Sequence, residues 1–434
     1  MNDESGAVPV RVGVLGCGNV GAPLVDLIAT QGADIEARTG LRLEVTRVAV
    51  RDLSKPRDIS LPLDRLTTDA QGIVDDPEVD VIVELIGGVE VPRELILSAI
   101  KAGKPVITGN KALLAEAGAE LFQAAEGAGV DLLFEAAVAG GIPIIRPLRE
   151  SLVGERIIRV LGIVNGTTNY ILTRMTEAGA SYGDALSEAQ ALGYAEADPT
   201  ADVEGFDAGA KAAIIASIAF GVGVTAADVH HEGISGITEI DIAFAQRMGF
   251  VIKLLAVAEQ TETGEVNVRV HPAMVPAAHP LASVRESFNA VFVEGAAVGD
   301  LMFYGRGAGG SPTASAILGD LVDASVNRHK GSHASVGQLG TARFQPLDDV
   351  ESAYYLNLEV ADEPGVLAQV AGVFGAHHVS IRSMEQEGLG NEARLIFITH
   401  RAREADVRAT LADLADLSAV DRIGSVLRVI GTDS

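Results

Sequence analysis

The first third of the chain alternates short, β-branched apolar runs with longer amphipathic stretches. Strands are predicted over residues 10–15, 43–50, 79–86, 105–108 and 130–134, and helices over 23–29, 92–102 and 112–127. Strand–helix alternation at this spacing predicts an α/β fold: a doubly wound parallel sheet with helices on both faces. Ligands of such sheets gather beyond the carboxyl ends of the strands.

From residue 144 the pattern becomes mixed. A strand over 156–164 is followed by helical stretches over 170–178 and 182–192, and a strongly apolar helix follows Lys211. Runs over 251–260, 265–274 and 287–298 read as antiparallel strands, so a second, α+β domain follows the first. Tyr304-Gly-Arg-Gly-Ala-Gly-Gly310 reads as a glycine loop, and the helix after it returns to the first domain. The loose, polar stretch 328–350 reads as a linker. Strands over 354–360, 380–386, 392–399 and 426–430 then alternate with helices over 366–376 and 404–415. This βαββαβ order is the ferredoxin-like unit. The expected domains are therefore 1–134, completed by a helix over 311–327, then 135–310, and 351–434 after the linker.

Composition narrows the function. Among 434 residues, 33 are basic and 59 acidic, a net charge of −26. That balance argues against nucleic acid or an anionic membrane as partner. The N-terminus lacks the basic and apolar regions of a signal peptide, and the longest apolar run, 212–224, is too short to span a bilayer. A single cysteine, Cys17, excludes an intrachain disulfide and fits a reducing cytoplasm. The adjacent pairs His230-His231 and His377-His378 have no metal-site spacing and read as structural or exposed.

Candidate chemistry sits at four places. Gly16-Cys-Gly-Asn-Val-Gly21 joins the first strand to its helix. In that context Gly16, Gly18 and Gly21 allow a tight turn and let backbone N–H groups reach a pyrophosphate; a plain βα turn is the alternative. Arg51 follows the second strand, with Lys55 and Arg57 nearby. Cations there suit a 2′-phosphate and favour NADP over NAD, while adjacent Asp52 keeps NAD open. Gly87 and Lys111 also fall at strand ends. Glu196, Asp198, Asp202, Glu204 and Asp207 precede Lys211 at the mouth of the apolar helix, and Asp207 and Lys211, four apart, share a helix face. Acids around a partly desolvated lysine hold a cationic substrate and tune a proton donor. Finally, Glu135-Ala-Ala-Val-Ala-Gly-Gly-Ile-Pro143 reads by composition as a tight packing turn, though its carbonyls and single acid also suit a hard cation.

In order, Gly16–Gly21, Gly109-Asn-Lys111-Ala-Leu, the Glu135–Pro143 loop, Asn165-Gly-Thr-Thr-Asn-Tyr, Gly193-Tyr-Ala-Glu-Ala-Asp-Pro and Asp207-x-x-x-Lys211 resemble the homoserine dehydrogenases, in the longer bacterial form with a C-terminal ACT domain. The resemblance covers nearly the whole chain and is most specific from Gly193 to Lys211. It implies a Rossmann-type domain, a catalytic and dimerisation domain and an ACT regulatory domain. The implied reaction interconverts L-aspartate 4-semialdehyde and L-homoserine with NAD(P), on the route to threonine, methionine and isoleucine. The resemblance also implies roles for single residues. Lys211 is the proton donor, with Lys111 a second lysine and Asp207 a positioning acid. Glu196, Asp202 and Thr167 hold substrate. Asn19, Val20 and Gly309 join the glycines at the cofactor. Glu135 and the backbone oxygens of Val138, Gly140 and Ile142 form a sodium site. Gly87-Gly88 stands where some relatives carry hydroxyls. A homodimer or homotetramer with threonine as effector is expected.

Two other functions are weighed. A phosphorylating semialdehyde dehydrogenase needs a cysteine nucleophile, and Cys17 lies in the phosphate loop. A non-catalytic NAD(P) or amino-acid sensor would leave the lysine and carboxylate constellation without purpose.

Overall fold

The computed structural model describes residues 7–57, 59–388 and 392–431. The chain divides into two compact units. One is drawn from Met1–Val160, Ala210–Asp228 and Asn289–Ala342, the other from Leu161–Gly209, Val229–Phe288 and Arg343–Ser434.

The first unit holds a six-stranded sheet built from β1 (Val8–Leu15), β2 (Leu41–Ala49), β3 (Leu66–Thr67), β4 (Val81–Glu84), β5 (Val106–Thr108) and β6 (Leu132–Leu133). Its order is β3-β2-β1-β4-β5-β6, parallel throughout, which is the Rossmann arrangement. Val12, Val14, Val81, Val83 and Ile107 are fully buried, as central parallel strands covered on both faces require. Helix α1 (Gly21–Thr39) is longer than expected. Its buried residues stop at Ile28, so the apolar periodicity ends there while the exposed helix runs on to Gly40, whose φ of 73° closes it. The helix expected over 311–327 is Gly310–Lys330, and Ala314, Ile317, Leu321 and Ala324 enter the same core as β1 and β5.

The two-residue β3 escaped the hydrophobic pattern, and so did a longer strand. Gly299–Arg306 lies beside Phe288–Gly295, so Tyr304 to Arg306 belong to a strand and the glycine loop shrinks to 307–309. Its side chains are half-exposed or exposed throughout, which leaves no apolar alternation to read.

In the second unit, Phe250–Gln260 and Val266–Pro276 form a regular antiparallel hairpin. The helix Glu239–Arg247 was also missed. A capping box between Thr238 and Asp241 starts it, a signal present in the sequence as Thr-x-x-Asp. The C-terminal part has the expected βαββαβ order, with strands Val420–Val429, Glu351–Ala361, Glu392–Thr399 and Ile381–Gly388 side by side and antiparallel. The last strand begins at Val420, earlier than expected.

The stretch read as a loose linker is tied down by its backbone. Its first residues continue the helix to Lys330, Gly340–Thr341 pairs with Val222–Gly223, and Phe344 bridges to Val266. Main-chain pairing of polar residues leaves no mark on composition. The C-terminal sheet is also continuous with the hairpin: Val420–Val429 pairs in parallel with Val266–Pro276 through Ala273↔Arg428 and Met274↔Val429. No helix among the described residues is long and apolar enough to cross a membrane.

Candidate active site

The glycine turn sits where β1 ends and α1 begins. Gly16 has a φ of 109°, and a Cβ on it would lie 2.5 Å from the Leu85 carbonyl oxygen. A Cβ on Gly21 would lie 2.2 Å from the Gly16 carbonyl oxygen, so both positions exclude any side chain. Around Gly18 there is open space, room for a ligand to approach the backbone. Val20 starts α1 without a side-chain cap; the Ala22 N–H is bonded to the Gly18 carbonyl and Pro23 has none, which leaves the N–H of Gly21 to an anion. Asn19 meets a second helix start: a Cβ on Gly310 would lie 2.3 Å from the Asn19 carbonyl oxygen. Gly309, with φ 109°, is the N-cap residue of that helix.

A cavity of about 510 Å³ opens at this turn, lined by Gly16, Gly18, Arg51, Asp52, Lys55 and Arg57 among others. Three cations thus face one acid. Asp52 is also engaged: its carboxylate accepts from the Ser54 hydroxyl at 2.7 Å and the Ser54 N–H at 2.8 Å. Those bonds hold its pKa below the ordinary carboxylate value.

At the end of β4, Glu84 is fully buried and was not foreseen. It accepts from the Thr108 hydroxyl at 2.7 Å and from the Ile86 N–H at 2.7 Å, tying β4 to β5. Gly87 and Gly88 follow, both in the left-handed region. Asn110 caps the helix Lys111–Ala128 and donates to the Gly88 carbonyl at 2.7 Å. Lys111 therefore begins a helix whose start is pinned to the glycine pair, and its side chain is exposed.

The acids before Lys211 divide by role. Asn165 caps the helix Gly166–Ala178, accepting from the Thr168 N–H at 2.9 Å, and its amide nitrogen donates to both Asp202 at 2.7 Å and Asp207 at 2.9 Å. Asp207 opens the helix Phe206–Phe220, and Lys211 stands one turn later, half-buried. Two carboxylates on one neutral donor concentrate negative charge and favour a cation beside them. Glu196 is exposed. Asp198 bonds Thr200 in its own turn and stands apart from this group. Thr167 is buried and donates its hydroxyl to the Tyr194 carbonyl at 2.6 Å, which holds the segment leading to Glu196. Asn165 was legible only as part of a motif; the Asn-Gly-Thr-Thr cap signal points to it.

The 135–143 loop is a packing turn in the structure. A Cβ on Gly140 would lie 2.4 Å from the Gly307 carbonyl oxygen, and Ala139 and Gly140 both have φ of 55°. The Glu135 carboxylate accepts from the Ile144, Ile145 and Arg146 N–H groups, the latter two at 2.7 and 2.8 Å. Its carboxylate thus caps a helix start, and the loop's main-chain oxygens are further donors available to a cation. Nearby, Asn289 lies against Gly307, and its buried amide oxygen has no hydrogen-bond partner among the described residues.

Asp320, which was not foreseen, accepts from the Glu135 N–H at 2.8 Å and shares Arg146 with Asp323, one turn later in the same helix, at 3.3 and 2.5 Å. Burial pushes its pKa up to about 7. Its folded pKa lies above the unfolded value, so between about pH 4 and 7 the native state binds more protons and this group's contribution falls as pH rises. Measured as the difference between wild type and Asp320→Asn, stability should decline from pH 5 to 7, by at most about 1.4 kcal/mol per pH unit, and level off above. A flat difference across that range would show that Asp320 stays ionised.

A Rossmann sheet with an open glycine turn, and an acid-flanked lysine on a separate helix, define a nicotinamide-dependent oxidoreductase. Residues 16–135 match the family model for the homoserine dehydrogenase NAD-binding domain, residues 143–322 that for homoserine dehydrogenase, and residues 354–419 that for the ACT domain. The homoserine dehydrogenase of Corynebacterium glutamicum is 51% identical, over 97% of this chain and 95% of its own. The crystal structure of a homoserine dehydrogenase from Thiobacillus denitrificans superposes with a TM-score of 0.93 at 42% identity, covering 98% and 99% of the two chains. A hyperthermophilic archaeal homoserine dehydrogenase in complex with NADPH gives 0.62 at 27% identity, over 74% of this chain and 98% of that one. The chain belongs to the homoserine dehydrogenase family, NAD(P)-dependent enzymes acting on a CH–OH group, and carries a C-terminal ACT domain.

Proposed function

We propose that the chain reduces L-aspartate 4-semialdehyde to L-homoserine with NADPH, with Lys211 as proton donor. The observation that carries this is the Asn165 amide joining Asp202 and Asp207 one turn ahead of Lys211. Hydride from the nicotinamide adds to the aldehyde carbon. Negative charge then grows on the oxygen, where the Lys211 ammonium stabilises it and gives up its proton. Asp207 lies four residues earlier on the same helix face and helps hold Lys211 in place. Asp202 and the exposed Glu196 suit the substrate's α-ammonium group, and Thr167 fixes the strand of chain that carries Glu196. Lys111 supplies a second cation beside cofactor and substrate.

The cofactor reading rests on Arg51, Lys55 and Arg57 around the cavity and on Asp52 being engaged by Ser54. Gly16, Gly18, Asn19, Val20 and Gly21 hold the pyrophosphate, with Gly309 beside them and Gly87 near the nicotinamide half. Arg51→Asp should lower kcat/KM for NADPH by roughly 10–100-fold and change that for NADH less than threefold, since one charge-assisted bond is worth about 1.5–3 kcal/mol. Steady-state kinetics with both cofactors test it; equal losses would remove Arg51 from the 2′ position.

A monovalent cation, sodium by resemblance, fits the neutral main-chain oxygens of Glu135, Val138, Gly140 and Ile142 better than a divalent ion, because the one carboxylate is already bonded. Cytoplasmic residence, a homodimer or homotetramer and threonine as effector complete the reading. The edge strand Ile381–Gly388, exposed over almost its whole length, is a ready surface for association.

A further inference from the structure

Glu84 is the last residue of β4, and in the parallel register it stands beside Thr108, the last of β5. Both are fully buried. The acid is held by neutral donors. One carboxylate oxygen accepts from the Thr108 hydroxyl, the other from the Ile86 N–H at 2.7 Å and, at a longer 3.4 Å, from the Gly87 N–H; among the described residues no lysine or arginine pairs with it. A carboxylate buried without a cation is costly, and an apolar side chain in the core of a parallel sheet avoids that cost. These bonds all run to the ligand side of the sheet, where the loops after β4 and β5 leave it. Ile86, one of the donors, lines the cofactor cavity.

Thr108 passes the connection on. Its hydroxyl gives its proton to Glu84 at 2.7 Å and accepts the Asn110 N–H at 3.0 Å. Asn110 then reaches two ways. Its amide oxygen accepts from the Leu113 N–H at 3.1 Å and so starts the helix that begins at Lys111, and its amide nitrogen donates to the Gly88 carbonyl at 2.7 Å. The path closes on itself, from Glu84 through Thr108 and Asn110 to Gly88 and back along the main chain to Ile86. A fully satisfied ring of this kind rigidifies what it joins. The glycine pair has need of it. Gly87 and Gly88 have φ of 79° and 82°, and a Cβ on either would meet open space, so no packing on that side holds them.

We infer that Glu84 is a positioning residue for the reduction: through Thr108 and Asn110 it fixes Lys111, the first residue of its helix, relative to the glycine pair beside the nicotinamide. It acts through these bonds and touches neither substrate nor cofactor. This rests on the proposed roles of Lys111 and Gly87. It also gives the asparagine of Gly109-Asn-Lys111 a task, as the one side chain that grips both loops.

The test is steady-state kinetics and NADPH binding on full-length variants, each made in wild type and in Lys111→Met. Thr108→Val keeps the shape of threonine and removes the hydroxyl, Glu84→Met keeps the length and removes both acceptors, and Thr108→Ser restores the hydroxyl. In wild type, Thr108→Val and Glu84→Met should each lower kcat by about 10–100-fold, as misplacing a reacting group does. The Kd for NADPH should change less than about threefold, since the glycine turn and Arg51 hold the other half of the cofactor, and Thr108→Ser should keep kcat within about threefold of wild type. In Lys111→Met, which itself loses kcat, Thr108→Val should cost less than about threefold more, because both act through one group. If Thr108→Val does not fold, Glu84→Met in the two backgrounds decides the same question. A variant that melts earlier yet keeps kcat and KM would make the chain a prop for the sheet, and the inference falls. Equal losses in both backgrounds would show that the chain does not act through Lys111; the inference then falls while the role of Lys111 stands. If Lys111→Met leaves kcat unchanged, the role of Lys111 falls and the inference with it.

Discussion

Lys211→Met should lower kcat for reduction of aspartate semialdehyde by about 10²–10⁴-fold, the usual worth of a positioned general acid, while the Kd for NADPH changes less than about twofold. Methionine keeps the length and apolar stem of lysine in a helix whose next residues, Ala212 to Ala216, are buried, so the fold should survive. What it lacks is the ammonium group and its proton. The cofactor is unaffected because the glycine turn, Arg51 and Gly309 belong to other elements. A variant retaining turnover within about tenfold of wild type, roughly 1.4 kcal/mol of barrier, would show that another group donates the proton. Lys111 would be the first to test.

Sequence carried the first domain well because each parallel strand except the two-residue β3 is a short apolar run between glycine or polar breaks. Boundaries failed where burial and secondary structure part company. Helix α1 outruns its buried face at Ile28, and Gly299–Arg306 forms a strand with no buried residue along it. The βαββαβ unit was legible from alternation, but its fusion to the Val266–Pro276 strand was not, since two paired residues leave no periodic trace.

The site was legible as residue types in motifs, and less so as partners. Asp207 and Lys211 are four apart in one helix, so their proximity follows from spacing. Asn165 reaches Asp202 and Asp207 across 37 and 42 residues, which only the fold brings together. Glu135 is the converse case. Its acid suggested a cation ligand, and the fold adds three backbone N–H partners that the sequence did not show. Glu84 was overlooked because a single acid in an apolar run looks like a strand end, and Asp320 because, beside Asp323, it looks like part of a solvated helix face.

Arg428→Met should destabilise the folded chain by about 3–5 kcal/mol, as expected when one partner of a buried ion pair is removed. The Arg428 side chain is 5% exposed, and its guanidinium donates to both oxygens of Glu232 at 2.8 and 2.9 Å and to Glu404 at 2.8 Å. Burial alone would raise the Glu232 pKa, but the His230 hydrogen bond and the Arg428 charge outweigh it and hold the pKa at about 2. Its folded pKa is below the unfolded one, so this stabilisation is present above about pH 4.5 and lost as pH falls toward 2. In Arg428→Met the carboxylate loses that partner, and its folded pKa rises. The deficit relative to wild type should therefore shrink as pH falls from 7 to 4. Urea unfolding at both pH values measures it, and adding Glu232→Gln should recover part of the loss at pH 7. A deficit under 1 kcal/mol, unchanged by pH, would mean that solvent screens the pair as at a surface. The same bond limits what deletion of the C-terminal unit can report. Cutting near Asp349 strands Glu232 and strips the neighbour from Val266–Pro276. A truncated enzyme that stops responding to threonine would have lost this junction as well as the ACT domain, and only point variants that leave Arg428 in place can separate the two.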